Sequence, residues 1–129
     1  MDDLYRQQII DRYKHPLKRG VLDPHDFSFE DENTLCGDHI RMDVRLDSDG
    51  RIREAAFSGN GCAISMASAD LLAEFVEGKE LEDVRRIGKE QVLELLGIEL
   101  SPIRLKCALL PLKVLKAGVY GLAGLDDTE

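Results

Sequence analysis

Three cysteines, Cys36, Cys62 and Cys107, and one aspartate, Asp38, are the residues of this chain best suited to chemistry. Thiolates are soft donors for zinc and iron, and they also attack sulfur–sulfur bonds. A carboxylate is a harder donor, and three thiolates with one carboxylate would complete a four-ligand set. No two of the cysteines form a C-x-x-C pair, so only the fold can bring such a set together. Taken one at a time, each cysteine reads first as a small buried hydrophobe.

The elements around them favour assembly. Asp3 is placed to cap a first helix carrying Leu4, Tyr5, Ile9 and Tyr13, which ends before Pro16. "FSFED" reads as a first strand. "HIRMDVRL" is a stronger one, with Ile40, Met42, Val44 and Leu46 on one face and charged residues on the other. "DSDG" turns the chain and "RIREAAFSG" returns as the antiparallel partner. The start of one hairpin strand and the end of the next lie at the same end of a sheet. Cys36 and Asp38 precede the first of these strands and Cys62 follows the second, so the two loops meet. Gly37 allows the tight turn that aims Cys36 and Asp38 at one point. Cys62 then opens a helix, where backbone N–H groups and the helix dipole favour a thiolate.

That helix, "CAISMASADLLAEFVEG", is apolar nearly all round and should lie buried across the sheet, ending at Gly78. Short helices follow in "ELEDVRRIG" and "KEQVLELLG". Ser101 and Pro102 start a last helix, with Cys107 on the stripe Ile103, Cys107, Leu110, Val114 and a kink expected at Pro111. The predicted fold class is α+β, a small three-stranded antiparallel sheet covered by helices, in a single domain over 1–129.

Composition narrows the function. A chain with 43% hydrophobic and 33% charged residues is an ordinary globular one. A net charge of −8 argues against nucleic acid as a partner. No apolar run is long enough for a membrane span, and "MDDLYRQQII" lacks a signal-peptide layout, so the expected location is cytoplasmic. "GNG" before a helix resembles a phosphate loop but lacks the Lys-Ser/Thr of one. His15, His25 and His39 have no feature that fixes them beside a cysteine. Asp70, inside the apolar helix, is either a paired core carboxylate or a support for the site.

"LCGDHIRM", "GNGCAISMASADLLAEFVEGK" and "RLKCALL" are similar, in order and spacing, to the three cysteine motifs of the IscU/SufU iron–sulfur cluster assembly scaffold family, also called NifU N-terminal-like. The likeness runs nearly end to end and includes the opening "LYRQQIIDRYKHP". It implies a scaffold that accepts persulfide sulfur from a cysteine desulfurase, assembles a [2Fe–2S] cluster and passes it to apo-proteins. The matching ligand positions are Cys36, Asp38, Cys62 and Cys107, which zinc fills in the cluster-free form. Cys107 and Cys36 are the candidate persulfide acceptors, with Gly37 and Lys106 in support.

The chain departs from the family pattern in three ways. Lys106 stands where IscU-type proteins have histidine, as in the SufU branch, whose members are zinc-dependent sulfur carriers. Yet the extra segment of that branch has no room between Cys62 and Cys107. "LSPIR" replaces a chaperone-read Leu-Pro-Pro-Val-Lys segment, so a chaperone or frataxin-like helper is not counted among the expected partners. The alternatives to a scaffold are therefore a zinc-dependent sulfurtransferase and, more remotely, a structural zinc module.

Overall fold

The computed structural model describes residues 2–34 and 37–122. In chain order the elements are α1 (Asp2–Lys14), β1 (Phe27–Asn33), β2 (Asp38–Leu46), β3 (Ile52–Asn60), α2 (Ala63–Val76), α3 (Leu81–Arg85), α4 (Lys89–Leu96) and α5 (Pro102–Leu122). The three strands form one antiparallel sheet in the order β1-β2-β3. This is the α+β arrangement that the alternation of "HIRMDVRL" and the apolar helices after it predict.

Register decides which residues make the core. Met42 lies opposite Phe57 and Val44 opposite Ala55, so Ile40, Met42, Val44, Ala55 and Phe57 share one face. All five are essentially buried. Helix α2 covers that face, with an unbroken buried run from Ser65 to Ala73. Its small residues let neighbouring backbones approach closely, which suits a helix enclosed on several sides. Helix α5 packs beside it through Cys107, Ala108, Leu110, Val114, Leu115 and Val119. The backbone reads as one helix through Pro111, with no break at that residue. Burying a large aliphatic or aromatic side chain contributes about 1.5–3 kcal/mol, so this layer is the stable base of the fold.

The opposite face of the sheet is not simply charged and exposed. Residues 15–26 bond to the free edge of β3 and then cross the sheet to reach β1. The Gly20 N–H donates to the Phe57 carbonyl at 2.8 Å, and the Phe57 N–H to that of Lys18 at 3.0 Å. This covers an edge that would otherwise offer unpaired groups. The crossing buries Leu22, Ala56 and Asp43. Asp43 accepts from the Leu22 N–H at 3.0 Å and from Arg41 Nε at 2.8 Å. Strand alternation cannot reveal this, because the cover comes from an irregular segment.

Burial pushes the Asp43 carboxyl up, but hydrogen bonds from Ser28, Arg41 and the Leu22 N–H outweigh it and hold it below the ordinary aspartate range. A carboxyl depressed in the folded state stabilises the fold above its unfolded pKa, and that stability is lost as pH falls through the folded value. Thermal melts between about pH 3 and pH 7 should therefore show stability falling at the acid end. Asp43→Asn should cost roughly 1–3 kcal/mol at neutral pH and flatten that acid fall. A variant with the wild-type pH slope would remove Asp43 from the acid response.

Three details differ from the sequence expectation. Asp3 lies inside the first turn of α1, which begins at Asp2, rather than at its cap. Leu4 and Tyr13 are exposed, and of the expected stripe with a described side chain only Ile9 is buried. Helix α1 is instead tied down by polar contacts. Arg12 Nη1 donates to Asp70 Oδ2 at 2.9 Å, and the Lys18 N–H donates to Asp70 Oδ1 at 2.7 Å. Asp70 is thus a paired core carboxylate joining α1 and the connection to α2. Ile103 is 61% exposed, so the buried stripe of α5 begins at Cys107.

Candidate metal centre

Asp38 is the first residue of β2 and is fully buried. It follows a tight turn in which the Gly37 N–H donates to the Asn33 carbonyl at 2.8 Å and Gly37 takes φ +73°. That is the left-handed conformation glycine adopts without penalty. Cys36 lies outside the described residues. Hairpin topology puts Asp38 and Cys62 at one end of the sheet, and the register agrees: His39 lies opposite Asn60.

Cys62 caps α2. Its sulfur accepts from the Ser65 N–H at 3.5 Å, and its own N–H donates to Asp38 Oδ1 at 2.8 Å. Its Sγ lies 3.7 Å from Asp38 Oδ2. The two glycines of "GNG" make this approach possible. A Cβ on Gly59 would sit 2.1 Å from the His39 carbonyl oxygen, and one on Gly61 would sit 2.8 Å from Asp38 Oδ1. The motif is therefore a close-packing device beside Asp38. Its glycines were legible, but the partner they make room for was not.

Cys107 is fully buried on the inner face of α5. The ligating atoms of Asp38, Cys62 and Cys107 all lie within 4.8 Å of one another. Adjacent helical residues point about 100° apart, so Lys106 faces elsewhere. It is exposed and lines a cleft of about 400 Å³ with Asn33, Thr34, Leu109 and Lys113. Lys106 thus belongs to the solvent side of α5, beside the residues that lead into the Cys36 turn.

The donor set fits a thiophilic metal. Ligand atoms sharing one tetrahedral zinc stand about 3.3–3.8 Å apart, from metal–sulfur and metal–oxygen bonds of about 2.0–2.3 Å. The Cys62–Asp38 separation of 3.7 Å already falls in that range. The other separations are no wider than 4.8 Å. A second observation agrees. The Ser65 hydroxyl, in the first turn of α2, is fully buried and has no hydrogen-bond partner. The sequence offers no sign of this, since an interior serine in an apolar helix normally bonds to its own backbone.

The chain matches the family model described as NifU-like N terminal domain over residues 4–125. It is 38% identical over 136 aligned positions to the zinc-dependent sulfurtransferase SufU of Bacillus subtilis, covering 92% of this chain and 91% of that one. It is 33% identical over 118 positions to the iron–sulfur cluster assembly scaffold protein IscU of Haemophilus influenzae, covering 89% and 92%. A crystal structure from Fervidobacterium islandicum AW-1, proposed as an iron–sulfur cluster assembly scaffold for the SUF system, superposes with a TM-score of 0.77 at 25% identity. That superposition covers 88% of this chain and 94% of the other. The SufU alignment is longer than this chain of 129 residues, so that relative carries residues this chain lacks. Fold, cysteine motifs and coverage agree, and the chain belongs to the NifU-like N terminal domain family.

Proposed function

We propose that this protein accepts sulfur from a cysteine desulfurase and serves as a scaffold on which a [2Fe–2S] cluster is built and then released to apo-proteins. The observation that carries this is the convergence of one carboxylate and two thiols, Asp38, Cys62 and Cys107, at one end of the sheet. Cys36, two residues before Asp38 in the sequence, is the proposed fourth ligand. Zinc is the proposed occupant when no cluster is present.

The chemistry asked of the chain is simple. A scaffold thiolate attacks the outer sulfur of the desulfurase persulfide, and the donor's sulfur–sulfur bond breaks with its electron pair leaving on the desulfurase cysteine. Converting that sulfur to sulfide then takes two electrons from a reductant. Cys107 and Cys36 are the proposed first acceptors, and thiolates go on to ligate iron, for which they are well-matched donors. Asp38 supplies the poorly matched ligand. The proposed partners are a cysteine desulfurase and apo iron–sulfur proteins. No helix among the described residues is long and apolar enough to cross a membrane.

A second reading, a zinc-dependent sulfurtransferase with the same ligands, is favoured by Lys106 and by the 38% identity to SufU. One experiment separates the two. Zinc-loaded protein is incubated anaerobically with its desulfurase and cysteine, and persulfide mass is read on the intact chain. Ferrous iron and a dithiol are then added, while zinc release and visible absorption are followed. A scaffold loses zinc as a transferable chromophore appears. A sulfur carrier keeps its zinc, gains the persulfide and accelerates the desulfurase.

A further inference from the structure

We propose that Ser65 is a positioning residue of this centre, whose hydroxyl donates a hydrogen bond to a cysteine sulfur once that sulfur holds a metal. Helix α2 carries two fully enclosed serines one turn apart. Ser68 Oγ donates to the Ala108 carbonyl at 2.7 Å, bonding α2 to the residue after Cys107. Ser65 has no such partner, although its exposure is 0%. Residues three apart share a helix face, so Ser65 lies on the side of α2 that Ser68 turns toward α5, one turn nearer Cys62. Its own N–H already reaches Cys62 Sγ at 3.5 Å. The hydroxyl therefore sits in the helix turn that presents Cys62, on the side of α2 that meets α5, and it can rotate about one bond.

A buried hydroxyl without a partner is destabilising, and native proteins keep few of them. The other such atom among the described residues, Arg85 Nε, belongs to a guanidinium already engaged by Glu82 and by the ring of Tyr120. Ser65 has no comparable compensation. A metal-bound thiolate is a strong acceptor, and donors to such sulfurs orient them and tune the metal. The empty protein thus bears a small cost that the loaded protein recovers.

The inference rests on the reading that Asp38, Cys62 and Cys107 hold a metal, and its test separates the two. Zinc affinity by chelator competition, the sulfur-to-metal charge-transfer bands of the cobalt form, and the melting temperature of the metal-free protein are compared for wild type and Ser65→Ala. Cys62→Ser serves as the ligand control. The expected Ser65→Ala result is a metal-free melting temperature equal to or above that of wild type. Zinc affinity should fall about tenfold. The cobalt bands should move to longer wavelength, because a sulfur that loses a hydrogen bond gives up charge more easily. Unchanged affinity and bands in a wild type that binds normally would overturn the role of Ser65 alone. A lowered metal-free melting temperature would overturn it too, by showing that the hydroxyl has a partner in the empty protein. A wild type that binds neither ion, or a Cys62→Ser variant that binds both as well, would overturn the metal reading and this inference with it.

Discussion

Asp38→Ala should hold an assembled cluster longer than the wild type and slow its transfer to an apo-ferredoxin by about tenfold or more. In the proposed ligand set a carboxylate oxygen is a hard donor among soft thiolates, so it would be the weakest link. It would also be the ligand that an incoming acceptor thiolate displaces most readily. The structure adds a second consequence of opposite sign. Asp38 is fully buried and its Oδ1 accepts the Cys62 N–H at 2.8 Å. The alanine leaves that N–H without its partner, at a cost to fold stability of roughly 1–3 kcal/mol. The variant should therefore melt earlier while its cluster leaves later. Transfer followed by the circular dichroism of the acceptor, alongside thermal melts of the metal-free protein, measures both. A variant that transfers as fast as wild type would take Asp38 out of the release step.

The approach of Asp38 to Cys62 was legible in the sequence because strand alternation and hairpin topology are both local signals. Cys107, on its helical stripe, read equally as core until the family resemblance joined it to the set. "HIRMDVRL", a turn and "RIREAAFSG" suffice to place the ends of two strands together, and the structure has them so. What the sequence hid depends on contacts between distant segments. Asp43 looks like one member of a solvent-facing charged row, yet it is buried by residues 15–26 crossing the sheet. Asp70 could be read two ways until Arg12 and the Lys18 N–H were found on it. Ile103 fits the helical stripe of Cys107 by spacing, but it lies in the first turn of α5, where no neighbouring element covers it. The glycines of "GNG" suggested a phosphate loop because glycine announces only that something comes close, not what.

That close approach leads to the largest expected effect on stability. Gly59 has φ +120°, and a Cβ there would sit 2.1 Å from the His39 carbonyl oxygen and 3.0 Å from its carbon. Both are backbone atoms of the central strand, so no side chain can move aside to relieve the overlap. Gly59→Ala must part β2 from β3 at the end of the sheet that carries Asp38. The expected cost is about 3 kcal/mol or more, from backbone strain and the lost approach together. At this chain length that lowers the melting temperature by roughly 10 °C or more. Two other glycines separate the causes. Gly50 also has positive φ, +82°, but open space around its position, so Gly50→Ala should cost only about 1 kcal/mol. Gly61 has no positive φ, and its added Cβ would meet the Asp38 carboxylate at 2.8 Å rather than backbone. Gly61→Ala should therefore cost roughly 1–3 kcal/mol, from disturbing the Asp38 carboxylate that accepts the Cys62 N–H, and should lower zinc affinity while sparing the sheet. Equal losses of stability for Gly59→Ala and Gly50→Ala would mean that handedness, not the approach to His39, is what the position requires. If instead Gly59→Ala loses more stability than either of the others, with Gly61 leading Gly50 for zinc, the loop before Cys62 is built to bring a helix start against a strand start.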